Sequence, residues 1–468
     1  MRLLVSLSLA AALLSGCAAA PLRQAALPAP PASFAGVQAA GPATPPPASG
    51  QWWKVFNDPV LDDLIARATA GNTDLKLADA HLEQARALLK SAHASLWPQA
   101  DIAYSPSRST YLQPANPQGS GKAANSHSLD LELSYEVDLS GRLSKASHAA
   151  RLDARSSEAL LADTRLLIQS RVAQSYFALR ALDEDRTIVA DTLSAYRQSL
   201  DVTQKRFREG DVAELDVARL QTEVATTEAE GLALDQQRAQ LTHALAALVG
   251  DTATGFDVQA QGWNGEPWAA AVPVIPAGIP SQVLQQRPDV VAAQAQLDAA
   301  ALRVGVARAA WFPTLNLTAQ GGYVSSDLDH LFDEGSKSFT LTGILAQAIF
   351  DGGRRNAAID YAKGGLDVAF AGYHASVLTA FQDVEDQLSD LDYLRRQQGA
   401  EDQAVAAANR AYTLSQSRYR EGSSSQLEVL DAQRSLLAIR RQALRVRAAQ
   451  YQSSVGLIRA IGGAWTTA

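Results

Sequence analysis

A single cysteine among 468 residues excludes an intramolecular disulfide and any metal site built from several thiolates. The seven histidines, His81, His93, His127, His148, His243, His330 and His374, form no H-E-x-x-H or comparable ligand spacing. Gly119-Ser120-Gly121-Lys122 lacks both the first glycine of a phosphate loop and the Ser or Thr that should follow the lysine. A net charge of −8 argues against a nucleic-acid partner. The basic run Arg434, Arg440, Arg441, Arg445 and Arg447 reads instead as a solvated helix face pairing with acids of neighbouring helices. Beyond the first residues, no charge-free apolar run approaches the ~18 residues of a membrane-spanning helix. If the chain crosses a membrane, it does so as strands.

Proline is missing from two long tracts. All 19 prolines lie within the first 117 residues or between Pro267 and Pro313, so Gln118 to Glu266 and Thr314 to the end are free of the residue that breaks helix interiors. Each tract can hold very long helices.

At the N-terminus, Arg2 and the apolar run Leu3 to Leu14 form a signal peptide over residues 1–16, too short to span a bilayer. Leu14-Ser15-Gly16-Cys17 resembles the lipobox of bacterial lipoproteins, which implies a covalent lipid (palmitate) on Cys17 and, with Ala18 following, sorting to the outer membrane. Residues 17–50 are rich in Ala and Pro and read as a lipid-anchored extended tether. A compact element begins near Trp52-Trp53, with Asn57-Asp58-Pro59 as a turn or cap ahead of Val60, Leu61, Leu64 and Ile65.

The chain then repeats itself. Arg206-Phe207-Arg208-Glu209-Gly210 recurs as Arg418-Tyr419-Arg420-Glu421-Gly422, and Leu215-Asp216-Val217 as Leu427-Glu428-Val429. Gln221 falls on Gln433, and Trp97-Pro98 corresponds to Phe312-Pro313. Residues 51–265 and 266–468 are therefore two copies of one plan. Each copy reads helix, strand, strand, long helix, turn, long helix.

In the first copy Leu129, Leu131, Leu133, Tyr135, Val137 and Leu139 alternate with Asp130, Glu132, Ser134, Glu136 and Asp138, a period-two pattern that suits a tilted transmembrane strand. A strand in a soluble sandwich would alternate in the same way. The partner strand lies near Asp101 to Tyr111; Leu315 and Leu317, then Phe339 and Leu341, mark two more in the second copy. Gly141-Arg142 and Gly353-Arg354 mark the turn from strand to helix. A helix from about Leu143 to Phe207 would run ~65 residues, roughly 100 Å. Heptad spacing follows each Gly turn, at Leu220, Thr227, Leu234, Leu241 and Leu248, then at Leu430, Leu437, Leu444, Tyr451 and Ile458.

Four strands cannot close a barrel, for which ~8 is the lower limit, so spanning strands require several chains to share one. At this point the residues gain specificity together. The lipobox, the duplication, the Trp-Pro and Phe-Pro helix ends, Phe350-Asp351-Gly352-Gly353-Arg354-Arg355, and Tyr419-Arg420-Glu421-Gly422 leading to Leu427 through Gln433 resemble the TolC-like outer membrane factors. The similarity is greatest to the lipoprotein branch (NodT-type) serving resistance-nodulation-division efflux systems.

That resemblance implies an α+β membrane protein: a homotrimer whose twelve strands form one transmembrane β-barrel among outer-membrane lipids and whose helices continue as a periplasmic coiled-coil barrel. It implies a porin-like channel with no catalytic step and no cofactor beyond the lipid. Partners would be a periplasmic adaptor (membrane fusion protein) and an inner-membrane transporter of the resistance-nodulation-division type. The adaptor-facing turns would be Gly210 and Gly422. The acidic periplasmic gate would fall on Glu428 and Asp431, one turn apart, where three copies make rings of negative charge. These acids serve equally well as first-turn partners of the helix dipole. Closing contacts map onto Asp216 and Tyr419, as a hydrogen bond between neighbouring helix pairs, while Ser424 stands where the family can carry an arginine. Export of proteins by type I secretion, and a lipid-anchored periplasmic coiled coil without a pore, remain as other readings.

Overall fold

The computed structural model describes residues 31–35, 44–45, 51–111, 122–260, 272–278 and 280–465. Its elements come in two passes. The first comprises α1 (Pro59–Gly71), α2 (Thr73–Ala94), β1 (Gln99–Tyr111), β2 (Lys122–Val137), α3 (Arg142–Arg208) and α4 (Glu214–Val249). The second comprises α5 (Pro280–Gln286), α6 (Pro288–Ala309), β3 (Thr314–Ser325), β4 (Lys337–Ala346), α7 (Arg354–Arg420) and α8 (Gln426–Ala460).

The four strands form one antiparallel sheet in chain order, with β2 and β3 joining the two passes at its centre. Strand β2 stops at Val137 rather than running on to Leu139 as its alternation predicts. Asp138 ends it, because its carboxylate is used as a helix cap: it accepts from the backbone N–H of Leu143 at 3.1 Å and Ser144 at 2.8 Å. Leu139 is left outside the ladder and exposed.

Both long helices start on a glycine in the left-handed region, Gly141 at φ 69° and Gly353 at φ 92°, a conformation L side chains resist. Each then runs 67 residues, about 100 Å. The returning helices are long as well, 36 residues in α4 and 35 in α8, but about half the length of α3 and α7. The remaining length is filled end to end. Helix α4 ends where α2 begins, with Asn72 Nδ2 donating to the Leu248 carbonyl at 2.8 Å. Helix α8 ends where α6 begins, with Arg287 Nη1 donating to the Ala460 carbonyl at 3.1 Å. These donors satisfy carbonyls that a helix C-terminus otherwise leaves unpaired.

The core gathers at these junctions, at the waist of the helices. Trp52, Phe56, Leu61, Ile65, Phe177, Tyr451 and Ile458 are buried together there. The expected cap holds: Asp58 accepts from Val60 N–H at 2.9 Å and Leu61 N–H at 3.2 Å, and also from the Tyr176 hydroxyl at 2.7 Å. The heptads hold too, for Leu220, Thr227, Leu234, Leu430, Tyr451 and Ile458 are buried and the remaining positions partly so. Helix α6 is long and apolar enough to cross a bilayer by composition; it packs between α3 and α7.

Residues 17–50 are described only in part, and the described pieces pack on α7 and on the segments at Val274 and Trp465. Phe34 is buried with its ring edge-on to Phe381 at 6.4 Å. Thr44 exchanges hydrogen bonds with Val274, and its carbonyl accepts from the Trp465 indole at 2.9 Å.

Candidate functional site: the helix turns and the sheet face

The two ends of the molecule carry the residues singled out from the sequence. At one end, the sheet register sorts side chains by chemistry. Leu131 lies opposite Ile102 and Gly321, and Gly321 opposite Phe339; two residues along, Leu133 lies opposite Ala319, and Ala319 opposite Leu341. On this face Ile102, Leu131, Phe339, Leu341 and Leu345 are all exposed large apolar residues. Asp101, Asp130, Glu132 and Glu136 share the other face, since alternate residues point oppositely along a strand. Strands β1 and β4 each have one unpaired edge within the chain. A sheet so built has one apolar face, one polar face that carries its acids on β1 and β2, and two open edges.

At the other end lie the two turns. Gly210 (φ 81°) donates to the Phe207 carbonyl at 3.0 Å and Asp211 to the Arg206 carbonyl at 2.9 Å; Gly422 (φ 72°) donates to Tyr419 at 3.0 Å and Ser423 to Arg418 at 2.8 Å. The repeat thus extends to individual hydrogen bonds. Ser425 caps α8 by accepting from Glu428 N–H at 3.4 Å, so Glu428 occupies the third position of the first turn, where its charge also favours the helix dipole. Glu428 and Asp431 are both exposed, and Asp431 lies 3.5 Å from Arg434. Ser424 donates to the Ser415 carbonyl at 3.4 Å.

Asp216 and Tyr419 are not brought together within the chain. Asp216 lies 3.5 Å from Arg219, and the Tyr419 hydroxyl instead accepts from Arg206 Nη1 at 2.8 Å. The Arg206 guanidinium also sits over the Tyr419 ring, 5.6 Å from its centroid, and is held from behind by Asp211 at 2.7 Å. Within the chain, Arg206 is thus the partner of Tyr419, its long side chain spanning from α3 to α7, while Asp216 pairs along its own helix. A groove between the hairpins runs past this pair, lined by Val202, Tyr412, Tyr419 and Val429.

Further contacts tie the hairpins together. Arg434 donates to Glu223, and Arg441 pairs with Asp185 at 2.6 Å and Glu230 at 3.2 Å. The basic run of α8 is thus paired with acids of adjacent helices at Arg434 and Arg441, as its composition suggests. The individual partners were missed because periodicity gives a face and not a neighbour. A usable signal lies where the two copies diverge: just after the matched Gln221 and Gln433, the first has Thr222-Glu223 and the second Arg434-Ser435. Cys17 falls outside the described residues. Among the described residues, no group of His, Cys, Asp and Glu is arranged to hold a metal ion.

A family model for outer membrane efflux proteins matches residues 64–251 and 279–463. An antibiotic efflux pump outer membrane protein of Pseudomonas putida, ArpC, is 32% identical over 477 residues, covering 99% of this chain and 96% of its own. A pyoverdine export outer membrane protein of Pseudomonas aeruginosa, OpmQ, is 35% identical over 421 residues, covering 89% and 87%. Among solved structures, the outer-membrane channel OprN superposes with a TM-score of 0.88 at 26% identity, covering 96% of this chain and all of that one. The Campylobacter jejuni CmeC outer membrane channel gives 0.85 at 26% identity, covering 95% of each.

Proposed function

The chain belongs to the outer membrane efflux protein family, and from that premise we propose that it is the outer-membrane exit duct of a tripartite pump that exports small molecules. The observation that carries this reading is the sheet. Its exposed apolar face suits lipid, and its two open edges would leave unpaired backbone groups in hydrocarbon, each costing several kcal/mol. Three copies close it as a twelve-stranded barrel with the polar face lining the lumen, and the α3/α4 and α7/α8 hairpins continue below as a periplasmic tube.

In this arrangement the turns at Gly210 and Gly422 meet a periplasmic adaptor, which connects to an inner-membrane transporter of the resistance-nodulation-division type. Glu428 and Asp431 ring the narrow end and bias it toward cations. Asp216 and Tyr419 face neighbouring helix pairs and close the tube between them, Tyr419 with Arg206 behind it. Cys17 carries a lipid that adds a second membrane attachment. Nothing in the duct needs a catalytic group; solutes pass down the gradient set by the transporter. The relatives are named for antibiotic, solvent, toluene and pyoverdine export, so one architecture serves unlike cargoes and the choice rests with the transporter.

The test is reconstitution. Purified protein should run as a trimer in detergent and give discrete conductance steps in planar bilayers; a monodisperse monomer, or a trimer without conductance, would remove the reading.

A further inference from the structure

Arg434 stands between two carboxylates with different surroundings. Its guanidinium donates to Glu223, which belongs to the first hairpin and is 11% exposed, and it lies 3.5 Å from Asp431 of its own helix, which is 62% exposed. The Glu223 pair sits beside a three-helix apolar cluster of Tyr196 on α3, Leu220 on α4 and Leu430 on α8, each about 1% exposed or less. A carboxylate this buried is costly to leave unpaired, whereas the Asp431 carboxylate is solvated and demands little. The cluster also contains an orphan. The Tyr196 hydroxyl is buried and has no hydrogen-bond partner among the described residues, while burial and the Glu223 charge push its phenol up to about 12. It is therefore a neutral donor beside Glu223, idle while Arg434 is in place.

We infer that Arg434 is a positioning residue of the narrow end: it clasps α8 to the first hairpin through Glu223 when the hairpins are together and moves to Asp431 when they part. Tyr196 then donates to Glu223, so the buried carboxylate keeps a partner in both states. The exchange also couples the charge at the constriction to the spacing of the hairpins, because Arg434 neutralises Asp431 more fully in the parted state. This inference rests on the reading of the chain as a duct.

Spin labels at Glu209→Cys and Glu421→Cys, in a Cys17→Ser background diluted with unlabelled protein, report the hairpin spacing without requiring conductance. Arg434→Gln should shift part of the distance distribution outward and, in bilayers, raise conductance several-fold; the charge swap E223R/R434E should restore both. Tyr196→Phe added to Arg434→Gln should shrink the outward population, since phenylalanine cannot donate to Glu223, an effect that loss of packing alone would not produce. Distances unchanged by Arg434→Gln, or a swap that fails to restore them in a folded trimer, would overturn the clasp. If the distances respond but no variant conducts, the clasp stands and the duct reading falls.

Discussion

Arg287 and Asn72 occupy equivalent places in the two copies and solve the same problem with different side chains. Each donates to a carbonyl at the end of a helix from the other side of a break, Asn72 once and Arg287 with added ion pairs to Asp289 at 2.7 Å and Asp383 at 2.9 Å. A neutral hydrogen bond contributes ~1 kcal/mol and a charged one ~2 kcal/mol. Asn72→Ala should therefore cost about 1 kcal/mol and Arg287→Ala about 2 kcal/mol or more in denaturant unfolding of the detergent-solubilised protein. The reverse ranking would show that the ion pairs of Arg287 contribute nothing. In the proposed arrangement, replacing Glu428 and Asp431 together with Ala should lower cation selectivity and block by multivalent cations in planar-bilayer recordings. Ion selectivity unchanged in that double variant would leave Glu428 as a first-turn acid serving the helix dipole and Asp431 as a surface partner of Arg434.

The elements are largely legible in the amino-acid sequence. Proline placement bounded the long helices, the Leu129 to Val137 alternation gave β2, and the duplicated Gly turns gave the hairpin tips. What stayed hidden is tertiary. The waist core joins Trp52, Phe177 and Tyr451, and the Arg206 to Tyr419 contact spans 213 positions, separations over which no local period carries information. The end-to-end joints of α4 with α2 and of α8 with α6 stayed hidden for a related reason: heptads show that a helix is buried and not where its neighbour takes over. Strand β2, like β3, is an interior strand with a neighbour on each side, so its loss splits the sheet. Leu131→Pro removes a backbone donor from the middle of the ladder and should cost roughly 3 kcal/mol or more. Insertion into proteoliposomes, followed by protease protection of the sheet, should be abolished; normal insertion would argue that the sheet does not span the bilayer.

At the scale of the whole molecule, attachment to the membrane is doubled in the proposed arrangement, once through the sheet and once through a lipid. Cys17→Ser should eliminate incorporation of labelled palmitate while leaving the trimer in the outer-membrane fraction. Label persisting in that variant would place the lipid elsewhere or nowhere on this chain.

The joints at the waist have a mechanical consequence. A laminated beam tolerates a splice in one layer because an unbroken layer runs beside it, and each splice here lies against a continuous 67-residue rod. Both splices fall at the same height, where Phe177 of α3 and Val384 of α7 enter a common core. Torsion applied at the tips therefore meets a level at which half of the rods are discontinuous and joined only through side chains, while the other half keep the length of the tube constant. A twist of the tips would be taken up first at that level, ahead of the sheet above it.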